Sequence, residues 1–421
     1  MAGPKTIVLC ADGTCNVFGQ RSSNVARLLE FIDLHDATSL VACYDQGVGT
    51  QFDQGAAIEA FRDGPPRKDA LQLLERPRDG WRRPWTIPHL IASMLFGWGL
   101  RDDVRQLYCA LGDSYVAGDS VFLFGFSRGA FAVRALAGFV WRAGVPAESS
   151  KGRAAALFDR DWPAFVRREL SVHSSRARAG QSIPTADCPI HFLGCWDTVK
   201  SYGSLRPVML PHLRHNPSVE VVRHALALDE QRGWFEPTSW GWLDSDKKQD
   251  ATPPAAIARI DRAEQELLDK RNVSEVWFTG CHSDIGGGNC GATSDVALRW
   301  MLGEACAHGL VLNTAGLHFV SAPPDTELPV IRESRSLIYR IIEACVPRRQ
   351  INNASAWPHL RWAPRGASKR DPLAHPRKGV VRVHESVRLP PKPGAAAHAV
   401  TVEVARTLRG ADHPWPQRRG A

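Results

Sequence analysis

Five short apolar segments, separated by stretches with helical periodicity, constrain the fold of this chain more than any other feature of its sequence. They are Thr6–Ala11, Ser39–Tyr44, Ser120–Phe126, Pro189–Trp196 and Ser274–Cys281. Each segment is rich in β-branched or aromatic residues and has the length of a strand that is covered on both faces. The alternation of such strands with helices predicts an α/β fold of three layers, α/β/α, around a mostly parallel sheet.

The stretches between these segments predict helices, because apolar residues recur in them at intervals of three and four. The first helix is expected to begin at Asn24, a good N-cap residue, and to bury Val25, Leu28 and Ile32. The other predicted helices are Val104–Tyr115, Ala130–Trp141, Val221–Leu228 and Asp295–Ala307.

A polar residue follows each predicted strand. These residues are Asp12, Asp45, Ser127, Asp197 and His282. In an open parallel sheet the carboxyl ends of the strands share one edge, and ligands bind there. Five strands therefore bring carboxylate, hydroxyl and imidazole groups to one edge, which predicts an active site at that edge.

The sequence Gly125-Phe126-Ser127-Arg128-Gly129 has the pattern G-x-S-x-G between a predicted strand and a predicted helix. This context suits a nucleophile elbow, in which a sharp turn with strained backbone angles lifts the serine hydroxyl above the sheet edge. The glycines leave room for the turn, and the helix N-terminus points at the oxyanion that develops during acyl transfer. Ser127 is therefore the predicted nucleophile; the alternative is a serine that only shapes a turn.

A serine nucleophile needs a base, and the base needs a carboxylate that orients it. In α/β-hydrolase-type folds the chain order is serine, acid, histidine, which selects Asp197 and His282 after Ser127. His224 and His384 compete with His282 for the role of base. The first lies in a stretch with a helical pattern and an apolar face, and the second lies in the basic C-terminal part of the chain.

An oxyanion hole at this site is expected to use the backbone N–H of Arg128, the residue after the nucleophile. The second donor is expected from the loop after the first strand, where Gly13 and Thr14 are the candidates.

Asp12, Asp45 and Asp284 are predicted to line the same site. For Asp12 and Asp45 the alternative is an Asx-type hydrogen bond that orders the loop, because each lies near a glycine. Carboxylates and an imidazole can also hold a divalent ion, so a metal-dependent hydrolase built on Asp12, His282 and Asp284 is a second alternative. That reading leaves Ser127 without a role, and neither a metal nor another cofactor is expected.

Two further alternatives come from other classes of protein. Asp12-Gly13-Thr14 after a first strand also suggests a phosphatase of the haloacid dehalogenase type, but its nucleophilic aspartate would fall at Cys10. The non-enzymatic alternative is a catalytically silent membrane- or protein-binding module, since a fold alone does not establish a function.

The composition predicts a soluble protein of the cytoplasm of the producing cell. The chain of 421 residues is 44% hydrophobic and 23% charged, as is usual for a globular protein. Its ten cysteines form no C-x-x-C pair, which favours reduced thiols over disulfides or a zinc site. The N-terminus lacks the pattern of a secretory signal, and the longest apolar stretch, Leu90–Leu100, is too short to span a bilayer.

Positive charge is concentrated towards the C-terminus. Residues 348–421 contain 15 Lys or Arg and 4 Asp or Glu, whereas the whole chain has a net charge of +8. This asymmetry predicts a catalytic domain over residues 1–347 and a basic, Pro-rich extension over residues 348–421 that is suited to an anionic membrane surface. A nucleic-acid partner is not expected, because no interleaved aromatic stripe or nucleic-acid motif is visible. Residues 55–88 and 151–186 are predicted lid or membrane-facing insertions.

Six sequence blocks resemble, in their order, a known family. They are residues 11–16 (ADGTCN), 44–50 (YDQGVGT), 125–130 (GFSRGA), 194–199 (GCWDTV), 223–230 (RHALALDE) and 280–288 (GCHSDIGGG), with a weaker echo at 383–387 (VHESV). Together they resemble the α/β-hydrolase-type catalytic domain of the first lipase-effector family of type VI secretion systems, long catalogued as a domain of unknown function.

The resemblance implies a serine esterase with phospholipase A1- or A2-type activity on bacterial membrane lipids. It implies a triad of Ser127, Asp197 and His282, the residues that the strand ends select independently. It further implies a secretion-spike protein or an immunity protein as partners, and export by a secretion system that needs no signal peptide.

Overall fold

Thirteen strands and seven helices make up the part of the chain that the computed structural model describes. This part comprises residues 3–13, 22–35, 39–46, 70–74, 99–147, 152–170, 184–199, 210–213, 216–232, 235, 237–240, 272–288, 292–322, 348–350, 359–361, 370, 380–385, 387 and 401–405. The strands are β1 (Thr6–Ala11), β2 (Leu40–Asp45), β3 (Leu71–Leu73), β4 (Ser120–Phe126), β5 (Val145–Pro146), β6 (Thr185–Ala186), β7 (Ile190–Trp196), β8 (Val219–Ala227), β9 (Asn272–Phe278), β10 (Arg348–Gln350), β11 (His359–Arg361), β12 (Val380–His384) and β13 (Thr401–Ala405). The helices are α1 (Asn24–Phe31), α2 (Leu100–Ser114), α3 (Arg128–Ala143), α4 (Arg153–Val166), α5 (His282–Gly286), α6 (Ala292–Ala307) and α7 (Thr314–Ser321).

Nine of these strands form one sheet in the order β13-β12-β9-β8-β7-β4-β1-β2-β3. Every neighbouring pair within it is parallel. The four other described strands form two small antiparallel pairs, β5 with β6 and β10 with β11. The predicted parallel sheet is therefore confirmed.

The strand order reverses between β1 and β4. From β1 the chain continues to β2 and β3 on one side, and from β4 it continues through β7, β8 and β9 on the other. At such a switch point the loops after the two central strands diverge, and the crevice between them is where open α/β sheets bind ligands. The loop that begins at Asp12 and the turn at Ser127 lie on the two sides of this crevice.

Helices cover both faces of the sheet. Along β1, Ile7 and Leu9 belong to the core shared with α2, α3 and α4, whereas Val8 and Cys10 belong to the core shared with α1, α6 and α7. This alternation follows from the two-residue period of a strand. Both faces are buried, which explains the continuous apolar runs in the sequence and confirms the three-layer α/β/α prediction.

The predicted helix at Val221–Leu228 is wrong, because this segment lies in strand β8. It pairs with β7 on one side and β9 on the other. A strand that is buried on both faces has a continuous apolar pattern, which periodicity cannot distinguish from that of a buried helix.

The start of α1 also differs from the prediction, because Ser23 and not Asn24 is its N-cap. The Ser23 side chain accepts a hydrogen bond from the N–H of Ala26 at 3.1 Å. The Asn24 side chain instead donates to the backbone oxygens of Ile285 and Ser294, at 2.8 and 3.1 Å. Asn24 therefore ties α1 to the segment that carries His282.

Two described segments of the predicted C-terminal extension lie in the central sheet and not apart from it. Strand β12 pairs with β9, and β13 pairs with β12, so these two strands complete the central sheet. These strands cover an edge of β9 that would otherwise offer unpaired backbone groups. A boundary at residue 347 would cut through one sheet.

The two predicted insertions fall partly on described residues. Residues 151–186 include α4, whose Leu157, Phe158 and Phe165 are fully buried in the core with α2 and α3. This helix belongs to the covering layer of the sheet and not to a lid. Of residues 55–88, all but 70–74 lie outside the described residues. Within the described part of the chain, the helices are too short or too polar to cross a membrane.

Candidate active site

Ser127 lies on a sharp turn between β4 and α3. Its backbone has φ 57° and ψ −118°, a conformation that is strained for a residue with a side chain. The Ser127 N–H donates to the backbone oxygen of Trp196 at 3.0 Å, which fixes the turn to the end of β7. Ser127 thus has the local geometry of the predicted nucleophile elbow.

The two glycines of the G-x-S-x-G pattern are explained by close backbone contacts. A Cβ atom on Gly125 would lie 2.6 Å from the backbone of Ala130, across the turn. A Cβ atom on Gly129 would overlap the backbone oxygens of Ala11 and Asp12. The absence of side chains at both positions allows α3 to begin directly against β1.

We expect Gly129→Ala to lower the free energy of unfolding by about 2 kcal/mol, because the added methyl group must push α3 away from the end of β1. Urea unfolding followed by circular dichroism measures this loss. Gly3→Ala is the matched control, since an added Cβ at Gly3 has nothing within 4 Å. Equal stability of the two variants would contradict the proposed close contact.

His282 connects Ser127 to Asp197. Its Nε2 lies 2.8 Å from the Oγ of Ser127, and its Nδ1 lies 2.6 Å from the Oδ2 of Asp197. All three side chains are buried. His282 is the first residue of α5, four residues beyond the end of β9, and not at the strand end itself. The rings of Phe126 and Phe235 flank the imidazole, with centroids 4.6 and 4.8 Å away.

The charges at this site favour an aspartate anion beside a neutral imidazole. Burial raises the pKa of Asp197, but the Arg370 guanidinium and the hydrogen bond from His282 outweigh it and hold this pKa well below its usual range. For His282, burial dominates and lowers its pKa, although the hydrogen bond to Asp197 opposes this effect. The neutral imidazole, which can accept the proton of Ser127, is therefore favoured at neutral pH.

The two competing histidines make different contacts. His224 lies on β8, where its Nε2 accepts the N–H of Thr198 at 3.1 Å and its Nδ1 lies 2.8 Å from Glu275. It therefore supports the backbone next to Asp197. His384 ends β12 and stacks on Phe278 with ring centroids 4.6 Å apart, and burial lowers its pKa to about 4.

The predicted oxyanion donors are only partly described. Arg128 follows Ser127 as the first residue of α3, so its N–H lies at the N-terminus of this helix. The N–H of Gly13 donates to the Oδ1 of Asp12 at 2.6 Å, so a substrate oxygen would have to share or replace this acceptor. Thr14 lies outside the described residues.

Asp12 and Asp45 lie at the carboxyl ends of the neighbouring strands β1 and β2. The Oδ2 of Asp12 accepts the hydroxyl of Tyr44 at 2.8 Å and a second hydrogen bond from the hydroxyl of Ser23. Asp45 ends β2, and its backbone oxygen accepts the N–H of Asp12 at 2.9 Å. Both aspartates are buried. The Asp12 carboxylate therefore orders the start of the loop after β1, whereas the contact of Asp45 is made by its backbone.

Asp284 closes the start of α5, where its Oδ2 accepts the N–H of Cys281 at 2.9 Å. Asp12 and His282 bind the separate partners given above, so the three candidate ligands of a metal do not share a centre. Among the described residues, no group of three or more His, Cys, Asp or Glu side chains is arranged to hold a metal ion.

Glu230 is a site residue that the sequence analysis missed. Its Oε2 accepts the backbone N–H of His282 at 3.1 Å. Arg232 binds both carboxylate oxygens of Glu230, at 2.9 and 2.8 Å, and lies 3.7 Å from the ring centre of Phe235. Burial raises the pKa of Glu230, but Arg232 outweighs it and lowers this pKa to about 2. Glu230 is the last residue of the block RHALALDE at residues 223–230, and its place in this block was the sequence feature that could have indicated a role at the site.

Arg370 is the second residue that was missed. Its Nη1 lies 2.6 Å from Oδ1 of Asp197 and its Nη2 lies 3.1 Å from Oδ2. It also donates to the backbone oxygens of Ala227, at 2.8 Å, and Phe235. An arginine in a Pro-rich basic stretch carries no sequence signal of such a contact.

Several known proteins are similar to parts of this chain. The yeast protein named uncharacterized protein YEL023C, from Saccharomyces cerevisiae, is 31% identical over 244 residues, which cover 55% of this chain and 32% of that protein. A crystal structure of an uncharacterized protein from Pseudomonas aeruginosa shares 18% identity at a TM-score of 0.39, covering 75% of this chain and 47% of that one. A structure of the Tle1 effector bound to the VgrG spike of the type 6 secretion system shares 17% identity at a TM-score of 0.26, covering 69% and 52%.

The chain thus spans about a third of the yeast protein and about half of each of these two structures. A family model described as "T6SS, Phospholipase effector Tle1-like, catalytic domain" matches residues 5–304, which include Ser127, Asp197 and His282. Since this match covers well over half of the sequence, the chain belongs to the Tle1-like phospholipase-effector family of type VI secretion systems, through the catalytic domain of that family.

Proposed function

We propose that this chain is a serine hydrolase that cleaves carboxylic esters, with phospholipid acyl esters as substrates in a reaction of the phospholipase A type. Ser127 is the nucleophile, His282 the base and Asp197 the residue that orients the base. The observation that carries the proposal is the continuous chain of hydrogen bonds from the Ser127 hydroxyl through His282 to Asp197. The family match supports a lipid substrate.

The geometry suits a two-step acyl transfer. The Oγ of Ser127 attacks the acyl carbonyl carbon while its proton moves to the Nε2 of His282. The carboxylate of Asp197 stabilises the imidazolium that forms. This imidazolium then gives its proton to the leaving alcohol, which is the lysophospholipid for a phospholipid substrate. Water, deprotonated by His282, attacks the acyl-enzyme and releases the fatty acid.

The negative charge of each tetrahedral intermediate falls at the start of α3. The backbone N–H of Arg128 and the positive end of the helix dipole stabilise a charge at this position. Gly13 or Thr14 supplies the second donor. For Gly13, this requires its N–H to turn from Asp12 towards the substrate.

Two assays on the purified wild type test the proposed function. A fluorophosphonate probe is expected to label Ser127, and incubation with mixed phospholipids and soluble acyl esters is expected to yield free fatty acid and lysophospholipid by mass. A folded protein that neither reacts with the probe nor releases fatty acid would instead favour the catalytically silent binding module.

We expect kcat/KM for a soluble ester to fall with decreasing pH, with a midpoint below the ordinary histidine value of 6.5. The base must be neutral to act, and burial lowers the pKa of His282, so activity is lost only as the pH falls through this lowered value. The acidic limb of the kcat/KM profile reports the pKa of the free enzyme. A midpoint above pH 7 would contradict the assignment.

The partners proposed for this chain follow from its family and its charge. A neighbour of known structure is the Tle1 effector bound to the VgrG spike, and we propose a secretion-spike protein and an immunity protein as partners of this chain during signal-less export. We also propose that the basic residues beyond 347 attract an anionic membrane surface. Binding to anionic vesicles that weakens with added salt is the expected behaviour.

A further inference from the structure

We propose that Arg370 is a positioning residue of the active site. It holds the Asp197 carboxylate in the orientation that accepts the hydrogen bond from Nδ1 of His282, and its positive charge offsets the charge of Asp197 at the imidazole. The inference rests on the proposed catalytic triad and adds a fourth side chain to it. This side chain comes from the basic part of the sequence, for which the charge alone predicts contact with a membrane surface.

The contacts of Arg370 are those of a fixed group. The guanidinium forks over both oxygens of Asp197, at 2.6 and 3.1 Å, and two further hydrogen bonds reach the backbone oxygens of Ala227 and Phe235. The Arg370 side chain is 7% exposed and that of Asp197 is fully buried. A bidentate arginine–carboxylate pair is both strong and geometrically specific, and a buried one is costly to break.

This fork determines how Asp197 meets His282. The Oδ1 of Asp197 accepts one hydrogen bond from Arg370, at 2.6 Å, and one from the backbone N–H of Ala227, at 3.1 Å. The Oδ2 of Asp197 accepts a second hydrogen bond from Arg370 and one from the Nδ1 of His282. The carboxylate cannot rotate without losing these bonds, so Nδ1 keeps its proton and Nε2 is left to accept the proton of Ser127. Arg370 therefore acts on the reaction through Asp197.

The charge balance around His282 gives Arg370 a second effect. The charged groups around the imidazole are Asp197, Glu230 and Arg232, with Asp284 on its own helix and Arg370 behind Asp197. Glu230 and Arg232 form one neutral pair, and Asp197 and Arg370 form another. Removal of the Arg370 charge leaves Asp197 uncompensated, which favours a proton on His282.

The position of Arg370 in the chain adds to this inference. Residue 370 lies beyond residues 5–304, the extent of the family match, and it precedes β12 and β13, which complete the sheet next to β9. The C-terminal part of the chain therefore supplies a side chain to the active site as well as two strands to the sheet.

Arg370→Met in the full chain tests the proposal. Titration of ¹⁵N-labelled histidine by NMR is expected to show that the pKa of His282 rises by about 1. The acidic limb of fluorophosphonate labelling is expected to move to higher pH by the same amount. Arg370→Lys keeps the charge and is expected to restore most of the wild-type pKa. In an Asp197→Asn background, Arg370→Met is expected to lower the rate of fluorophosphonate labelling no further at a pH where His282 is neutral, because no carboxylate is left for Arg370 to orient.

The matched control is Arg223→Met, which breaks another buried arginine–carboxylate pair. Arg223 binds Glu304 at 2.5 Å, and their side chains are 6% and 14% exposed. An unchanged His282 pKa in Arg370→Met, with only the loss of stability seen in Arg223→Met, would overturn the proposal. If Arg370→Met does not fold, Arg370→Gln is titrated in its place, with the same expected result. The titration needs no ester cleavage, so an inactive wild type would refute the proposed function and still leave the role of Arg370 decided.

Discussion

Ser127→Ala is expected to lower ester hydrolysis by at least about 10³-fold while the protein keeps its fold. The lost Oγ is the atom that lies 2.8 Å from Nε2 of His282 and that would form the bond to the acyl group. The fold should survive because the Ser127 side chain makes no capping hydrogen bond to α3. The backbone of the turn is held by the bond from its N–H to Trp196, which alanine retains.

Initial rates on a soluble acyl ester, together with fluorophosphonate labelling and the far-UV spectrum, measure this effect. Ser120→Ala, at the opposite end of β4, is the control and should keep wild-type rates. Labelling of the Ser127 variant at the wild-type rate would show that another residue is the nucleophile.

The parts of the fold that could be predicted from the sequence are those with local causes. Thr6–Ala11 and Ser120–Phe126 match β1 and β4, because a strand buried on both faces must be apolar throughout. The sharp turn at Ser127 could be predicted for a similar reason. A turn this tight needs glycines at 125 and 129, and both positions are crowded by backbone.

The predictions were wrong where the structure of a segment depends on its pairing with distant segments of the chain. Strand β8 has the composition of a buried helix, and it becomes a strand because it pairs with β7 and β9. Two polar residues within it, Arg223 and His224, are buried with Glu304 and Glu275 as partners. Such pairing between distant segments leaves no periodic signal.

The neighbours of the candidate triad were missed for the same reason. The contact between Glu230 and His282 joins residues 52 positions apart, and the contact between Arg370 and Asp197 joins residues 173 positions apart. The chemistry of the triad restricts which residue types can act, and chain order restricts them further. Neither residue type nor chain order is restricted in this way for residues that support the triad, so they are identified only from their contacts in the folded structure.

His282→Ala is expected to reduce hydrolysis to nearly the level of Ser127→Ala, since residues that act as a unit lose most of their effect together. The variant leaves a slot between Phe126 and Phe235, whose ring centroids lie 4.6 and 4.8 Å from the imidazole centroid. Imidazole added to the buffer should enter this slot and restore part of the activity, which the ester assay measures against imidazole concentration.

His224→Gln is the control that separates a base from a supporting histidine. His224 binds the N–H of Thr198 and the carboxylate of Glu275, and glutamine can make both kinds of hydrogen bond. This variant should be less stable, yet it should turn over ester within about tenfold of the wild-type rate because the Ser127–His282 contact is kept. An inactive, folded His224 variant beside a fully active His282→Ala would transfer the role of base to His224.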